Sequence, residues 1–346
     1  MRIGVIPEGV RDWFILRSRR FPRPLFDVMG TMLVCRALMA GVRFGVFDRL
    51  RAAPRTAAEL AAEAQLDPHG AELLLEALVA CGYLKEGAGR YRNSALAARW
   101  LLSDASPTLA NFVRFNYHQW EWFSRLENFL ERGQSVEIHA RSDRPEMWRD
   151  YMLGLRDIAT LNAHELVASL PVETPRRLLD IGGGHAYYSV AMCRRFPELR
   201  VTVLDFEPAA RIGRELVAQA GLADRIEFQT GDLADAPLGE GHDLVFLFNV
   251  VHHLEEPVIR QTFARLHGAL APDALLVVWE PFREEGKKKH RDQLGSLLGL
   301  FWGVTSGRQA YRFSDVSDWA RAAGFREIRR QSLRSAPFAS LLLARK

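Results

Sequence analysis

Hydrophobic and polar positions along the 346 residues fall into three stretches of different rhythm. In the first, to about residue 104, the segment 24–40 is apolar nearly all round: Leu25, Phe26, Val28, Met29, Met32, Leu33, Val34, Leu38 and Met39. A helix without a polar face is buried in a core or an interface. Thr56-Ala-Ala-Glu59 reads as a capping box opening a short helix. Asp67 reads as the N-cap of a second helix that runs to Tyr83. Short strands follow at 83–85 and 90–92 around Glu86-Gly87-Ala88-Gly89, so helix, turn, helix and hairpin outline a winged helix. The middle stretch, about 105–172, is helical and rich in aromatics, and Pro171 and Pro175 close it. In the third, 173–346, the buried strands RRLLDIGGG, LRVTVLDF, RIEFQTGD, HDLVFLFNVV and ALLVVWEPF alternate with helices, and FREIRRQSL and FASLLLARK add two more. Repeated β-α units predict an α/β fold with a doubly wound, mostly parallel sheet of seven strands.

The densest chemical signal is Leu178-Leu179-Asp180-Ile181-Gly182-Gly183-Gly184-His185-Ala186. A strand ends in an acid and glycines before a helix, where a backbone without side chains can approach a ligand. Asp205, at the tip of the next strand, lies about 20 residues on, the spacing of an acid that holds ribose hydroxyls. A nucleoside-containing cofactor is implied. A dinucleotide fingerprint is disfavoured, because counting GxGxxG from Gly182 puts Tyr187 in the third glycine slot and counting from Gly183 puts His185 in the second. No GxxxxGK[ST] phosphate loop is present.

Composition changes this picture little. With 48% hydrophobic and 25% charged residues the chain is ordinary globular protein. Cys35, Cys81 and Cys193 are isolated, so neither a zinc site nor a disulfide framework is expected, and a reducing cytoplasm fits. The net charge of +4 is concentrated in the two ends, which leaves the body acidic. The apolar run 25–47 is interrupted by Asp27, Arg36 and Arg43, and no membrane insertion is expected. The charge run from Arg283 to His290, including Lys287–Lys289, reads as a solvated loop.

The motif Asp180-Ile-Gly182-Gly-Gly184-His-Ala186 resembles that of class I S-adenosylmethionine methyltransferases. The whole chain resembles the small-molecule O-methyltransferases typified by plant caffeate and bacterial polyketide-tailoring enzymes. The resemblance implies a winged-helix dimerisation domain (1–104), a connector carrying acceptor-pocket helices (105–172) and a Rossmann-like S-adenosylmethionine domain (173–346). By the same resemblance, Asp180, Gly182 and Gly184 belong to the cofactor site, with the two glycines facing the methionine part. Asp205 would hold the ribose, Phe206 would lie against the adenine, Asp232 and Leu233 would edge it, and Asn249 would contact the cofactor. His252 would be the general base, oriented by Glu280, with His253 the other candidate. Tyr117, Trp120, Trp122, Trp148, Tyr151, Met152 and Trp302 are pocket candidates, since aromatics suit flat apolar acceptors. The chain departs from the family at Ala186, a third-glycine position. It also has His252-His253-Leu254 where the family has HDW. A second catalytic acid is expected near Arg308, Gln309 and Ala310, yet no acid follows until Asp315.

A phenol with pKa near ~10 is ionised to about one part in a thousand at neutral pH, so a histidine near ~6.5 is a suitable base. Metal-independent methylation of a small acceptor by a homodimer, with S-adenosylhomocysteine as product, is therefore expected. The site left open is O, N or C. The rival reading of the winged helix as a transcription regulator is weakened by Asp67, Glu72 and Glu76, set against His69 alone, on the helix that would meet phosphates. The acidic body likewise argues against a nucleic-acid partner. Further alternatives are a metal-dependent catechol-type enzyme, for which no carboxylate cluster follows the fourth strand, and a relative using the cofactor for other chemistry.

Overall fold

The computed structural model describes residues 9–18, 21–140, 144–283 and 293–346, and its chain divides into two compact units, Met1–Tyr117 and His118–Lys346. The charge run after Arg283 lies outside the described residues.

In unit 1 the capping box forms as the pattern predicts. Thr56 Oγ1 accepts the Glu59 amide and Glu59 accepts the Thr56 amide, opening the helix Ala57–Ala64. Asp67 caps Pro68–Ala80, and strands β1 (Leu84–Gly87) and β2 (Arg90–Asn93) pair antiparallel. Val42, Phe47, Leu60, Leu75, Leu78 and Leu84 form the core. The apolar segment is a continuous helix, Arg23–Arg43, with a π-turn at Phe26–Gly30. Only Met39, Gly41 and Val42 are buried in its last part, while Val28 and Leu33 are 67% and 57% exposed. Its last turns join this unit's core, and the rest of the helix is left uncovered by it. Despite Asp27 and Arg36, an 18-residue window of this 21-residue helix has a mean hydropathy of 1.6, so by length and composition alone it could cross a membrane.

Unit 2 is built on a seven-stranded sheet. Its strands are β3 (Arg177–Ile181), β4 (Arg200–Asp205), β5 (Ile226–Thr230), β6 (His242–Phe248), β7 (Leu270–Glu280), β8 (Arg326–Ser332) and β9 (Ser340–Arg345), in the order β5-β4-β3-β6-β7-β9-β8. All adjacent pairs from β5 to β7 are parallel, and β9 is antiparallel to both neighbours. The central strands read as unbroken apolar runs because helices cover both faces. Leu178, Val203, Phe246 and Val277 pack into one core, and Leu179, Leu204, Val245 and Val278 into the other. Between β3 and β6 the winding reverses, and ligands of open α/β sheets bind at the carboxyl ends of the strands at such a point.

Candidate active site

At the end of β3 the glycines do what the sequence predicts of them. Gly182 has φ +67°, and a Cβ there would meet Val250 Cγ2 at 2.4 Å. Gly184 has φ +37°, and its Cβ would lie 2.7 Å from Met152 Sδ and 3.4 Å from Asp205 Oδ2. Ala186, the departure from the glycine pattern, takes the left-handed conformation with its methyl fully buried. Asp180 serves this loop from behind. Its buried carboxylate accepts the Ser189 hydroxyl at 2.5 Å, and burial pushes its pKa up to about 7. His185 is likewise structural: Nδ1 accepts the Tyr187 amide at the helix start, and burial lowers its pKa to about 3.

Asp205 ends β4 and faces the loop. One carboxylate oxygen accepts the Gly184 amide at 2.8 Å and the other the Phe206 amide at 2.7 Å. Burial outweighs these donors and raises its pKa to about 6. Phe206 beside it is 37% exposed. Bare backbone at 182–184, a carboxylate with spare lone pairs and an accessible ring fit a nucleoside-bearing cofactor. Asp232 closes a turn onto the Ala234 amide, and Leu233 is buried in the core. Asn249 is exposed in the left-handed region, which asparagine tolerates, with its amide on the Trp279 carbonyl.

Beyond β6 the chain enters the short 3-10 turn Val251–His253. His252 and Glu280 are 5% and 3% exposed, and His252 Nδ1 lies 2.6 Å from Glu280 Oε2. The other oxygen of Glu280 accepts the Val251 amide at 2.8 Å. A carboxylate acceptor fixes the neutral imidazole with its proton on Nδ1 and leaves Nε2 as the basic nitrogen. The ring of His252 stacks on Trp302 at 3.8 Å and 16°. Where a second acid would stand, Ala310 lines a narrow cleft with Val251, Pro281, Phe282 and Tyr311. Arg308 turns to Glu255 at 3.0 Å.

The helix Pro145–Ser169 brings Trp148, Tyr151 and Met152 to one face, since positions three and four apart align. Tyr151 is 5.9 Å from Trp148 and 6.5 Å from the buried Trp122 between ring centroids. Tyr117 closes unit 1, with Arg36 and Arg43 each 4.9 Å from its ring, and Trp120 is exposed. Two residues join the site without having been singled out by sequence. Ser306 lies 3.1 Å from His253 Nδ1 and donates to the Trp302 carbonyl. His139, in the turn Ile138–Ala140, packs on His253, Tyr151, Trp148 and Phe206. No periodicity or motif around GQSVEIHA marks it.

The family model of the O-methyltransferase domain matches residues 109–326, and that of the O-methyltransferase dimerisation domain matches residues 26–104. The chain is 29% identical over 317 residues to the 3-hydroxy-5-methyl-1-naphthoate 3-O-methyltransferase of Streptomyces sahachiroi, covering 89% of this chain and 90% of that one. It is also 29% identical over 316 residues to an N,N-dimethyltransferase of Streptomyces rimosus, covering 88% and 90%. Its fold matches that of human N-acetylserotonin methyltransferase in complex with S-adenosylmethionine at a TM-score of 0.85, with 21% identity over 95% of this chain and 99% of that one.

Proposed function

The chain belongs to the O-methyltransferase family, and we propose that it methylates a hydroxyl on a small, flat, largely apolar acceptor, with His252 as general base. S-adenosylmethionine is the methyl donor and, when bound, supplies a methyl group on a positively charged sulfur. Gly182, Gly184, Asp205 and Phe206 would hold it. The observation that carries the reading is the buried His252–Glu280 pair at the carboxyl ends of β6 and β7, on the same edge of the sheet as the glycine loop and Asp205. The acceptor hydroxyl would give its proton to His252 Nε2 as its oxygen forms the bond to the methyl carbon and the carbon–sulfur bond breaks. Glu280 holds the ring in the tautomer that can accept this proton and stabilises the imidazolium that results. Trp302 fixes the ring plane. Among the described residues, this division of labour rests on one carboxylate, Glu280.

Tyr151, half-buried beside the buried Trp148, would offer a ring to an aromatic acceptor. The Streptomyces sahachiroi relative acts on a hydroxynaphthoate, so bicyclic phenols and hydroxyarene carboxylates are the first compounds to try. Positioning at such a site supplies the larger part of catalysis, and a base adds about 10²–10⁴-fold. The test is S-adenosylhomocysteine formation with a panel of hydroxyarenes and matching aryl amines. His252→Gln is expected to lower kcat by about 10²–10⁴-fold with the KM for S-adenosylmethionine little changed. Turnover of amines alone, or undiminished turnover in the variant, would sink the assignment.

We further assign the exposed apolar side of the helix Arg23–Arg43 to a second copy of the chain. The match of residues 26–104 to a dimerisation domain supports this reading over a membrane span.

A further inference from the structure

Three imidazoles lie side by side across the site, and among the described residues a single carboxylate serves them. His252 and His253 are 4.2 Å apart between centroids, and His253 and His139 meet edge to face at 4.5 Å and 88°. Glu280 is committed to His252. His253 Nδ1 reaches the Ser306 hydroxyl, which spends its own proton on the Trp302 carbonyl, and His139 Nε2 is 3.3 Å from the Tyr151 hydroxyl. Among the described residues no carboxylate bonds to His139 or His253. The other rings around His139 are Trp148, Tyr151 and Phe206, all uncharged. The titratable groups facing the pair are His252 with Glu280 on one side and Tyr151 on the other, with Asp205 beyond it. Burial and the neighbouring imidazoles push His139 down to about 4 and His253 well below the ordinary range. Both rings are neutral at neutral pH.

Their position gives this neutrality a use. His139 packs beside Phe206, next to the acid at the cofactor cradle, and His253 packs beside the base. The pair therefore spans the interval between cradle and base, which a transferred methyl must cross. With the donor held as proposed, that interval would contain a cation before transfer and none afterwards. A carboxylate on either imidazole would favour its protonated form and set a like charge beside the sulfonium. We propose that His139 and His253 form an uncharged imidazole pair facing the donor's sulfonium, so that the site accepts the charged donor only while both rings are unprotonated. The proposal rests on the cofactor placement given under the proposed function.

The two cofactor forms differ in this charge and share their remaining groups, so the ratio of their affinities isolates it. Titration calorimetry on the full chain would give Kd for S-adenosylmethionine and S-adenosylhomocysteine with the parent, His139→Gln and His139→Arg. The neutral glutamine is expected to change both constants by a similar factor. The permanent charge of arginine is expected to weaken S-adenosylmethionine about 10- to 100-fold relative to S-adenosylhomocysteine, the size of a like-charge contact at intermediate dielectric. An equal loss for both ligands in the arginine variant would overturn the proposal while leaving the enzyme assignment intact. Failure of the parent to bind either ligand would remove both. Should the arginine variant not fold, the same affinity ratio in His253→Arg decides: a selective loss of S-adenosylmethionine supports the pair, and an equal loss of both ligands refutes it.

Discussion

Asp180 is a carboxylate kept where water cannot reach it, and its ionisation opposes folding. Its pKa rises from an ordinary value near ~4 to about 7 through burial, against which the Ser189 hydroxyl works, and the charge of Asp205 adds to the rise. The folded chain therefore binds a proton that the unfolded chain has already released. Stability from this group is fully present below the unfolded pKa and declines as pH climbs toward the folded one. Without ligand, the parent should lose melting temperature relative to Asp180→Asn between pH 5.5 and pH 8, while the buried neutral His139, His185 and His253 shift both proteins alike in the opposite sense. One pKa unit corresponds to about 1.4 kcal/mol, roughly 2–4 °C per kcal/mol at this chain length. Melting curves of the two proteins at the two pH values check it; parallel losses would reject the assignment to Asp180. Asp205 shares the direction, with its pKa at about 6, and adds to the decline in both proteins. The local sequence marked both aspartates, because an acid before glycines and an acid about 20 residues later are a spacing signal. It did not separate them. The fold makes Asp180 a support for the loop and leaves Asp205 facing the space above it.

At the scale of elements, patterning was legible where each element answers to its own sequence. The capping box, the Asp67 cap and the glycine turn form from residues within a few positions of one another. Strands buried on both faces read as apolar runs and appear as β3, β4, β6 and β7. The helix Arg23–Arg43 shows the limit. Its all-round apolar surface states that something covers it, and hydropathy alone does not separate a partner chain from lipid. Val28→Asp with Leu33→Asp places two charges on exposed positions of that surface. Sedimentation at micromolar concentration should give a dimer for the parent and a monomer for the double variant, with melting little altered. A monomeric parent would contradict the assignment to a second copy.

For the whole molecule, the charge balance and the cofactor lead to the same expectation. The basic residues sit at the two ends of the sequence and leave the body acidic, which suits a small neutral aromatic better than a polynucleotide. A ligand held at about 100 times its Kd stabilises the native state by about 2.7 kcal/mol. S-adenosylmethionine and S-adenosylhomocysteine should each raise the melting temperature by at least roughly 2–4 °C, NADH should not, and Asp205→Ala should abolish the response. A thermal shift in the variant equal to that of the parent would remove Asp205 from the cofactor site.

By itself the sequence determined the α/β class, the winged-helix outline, the glycine loop and the paired acid. Each is written in a spacing or periodicity that a single segment carries. Tertiary structure decided the contacts between segments: it joins Glu280 to His252 across 28 positions, the pairing the family resemblance implied, and it brings Trp302 against that ring and His139 against His253. Periodicity records which face of an element is buried and is silent on what it meets. Protonation follows from that meeting, because desolvation and the nearest charge depend on neighbours brought from elsewhere in the chain. His139 is the clearest case, since only its packing beside other rings, with no carboxylate bonded to it among the described residues, makes it a group of interest at this site.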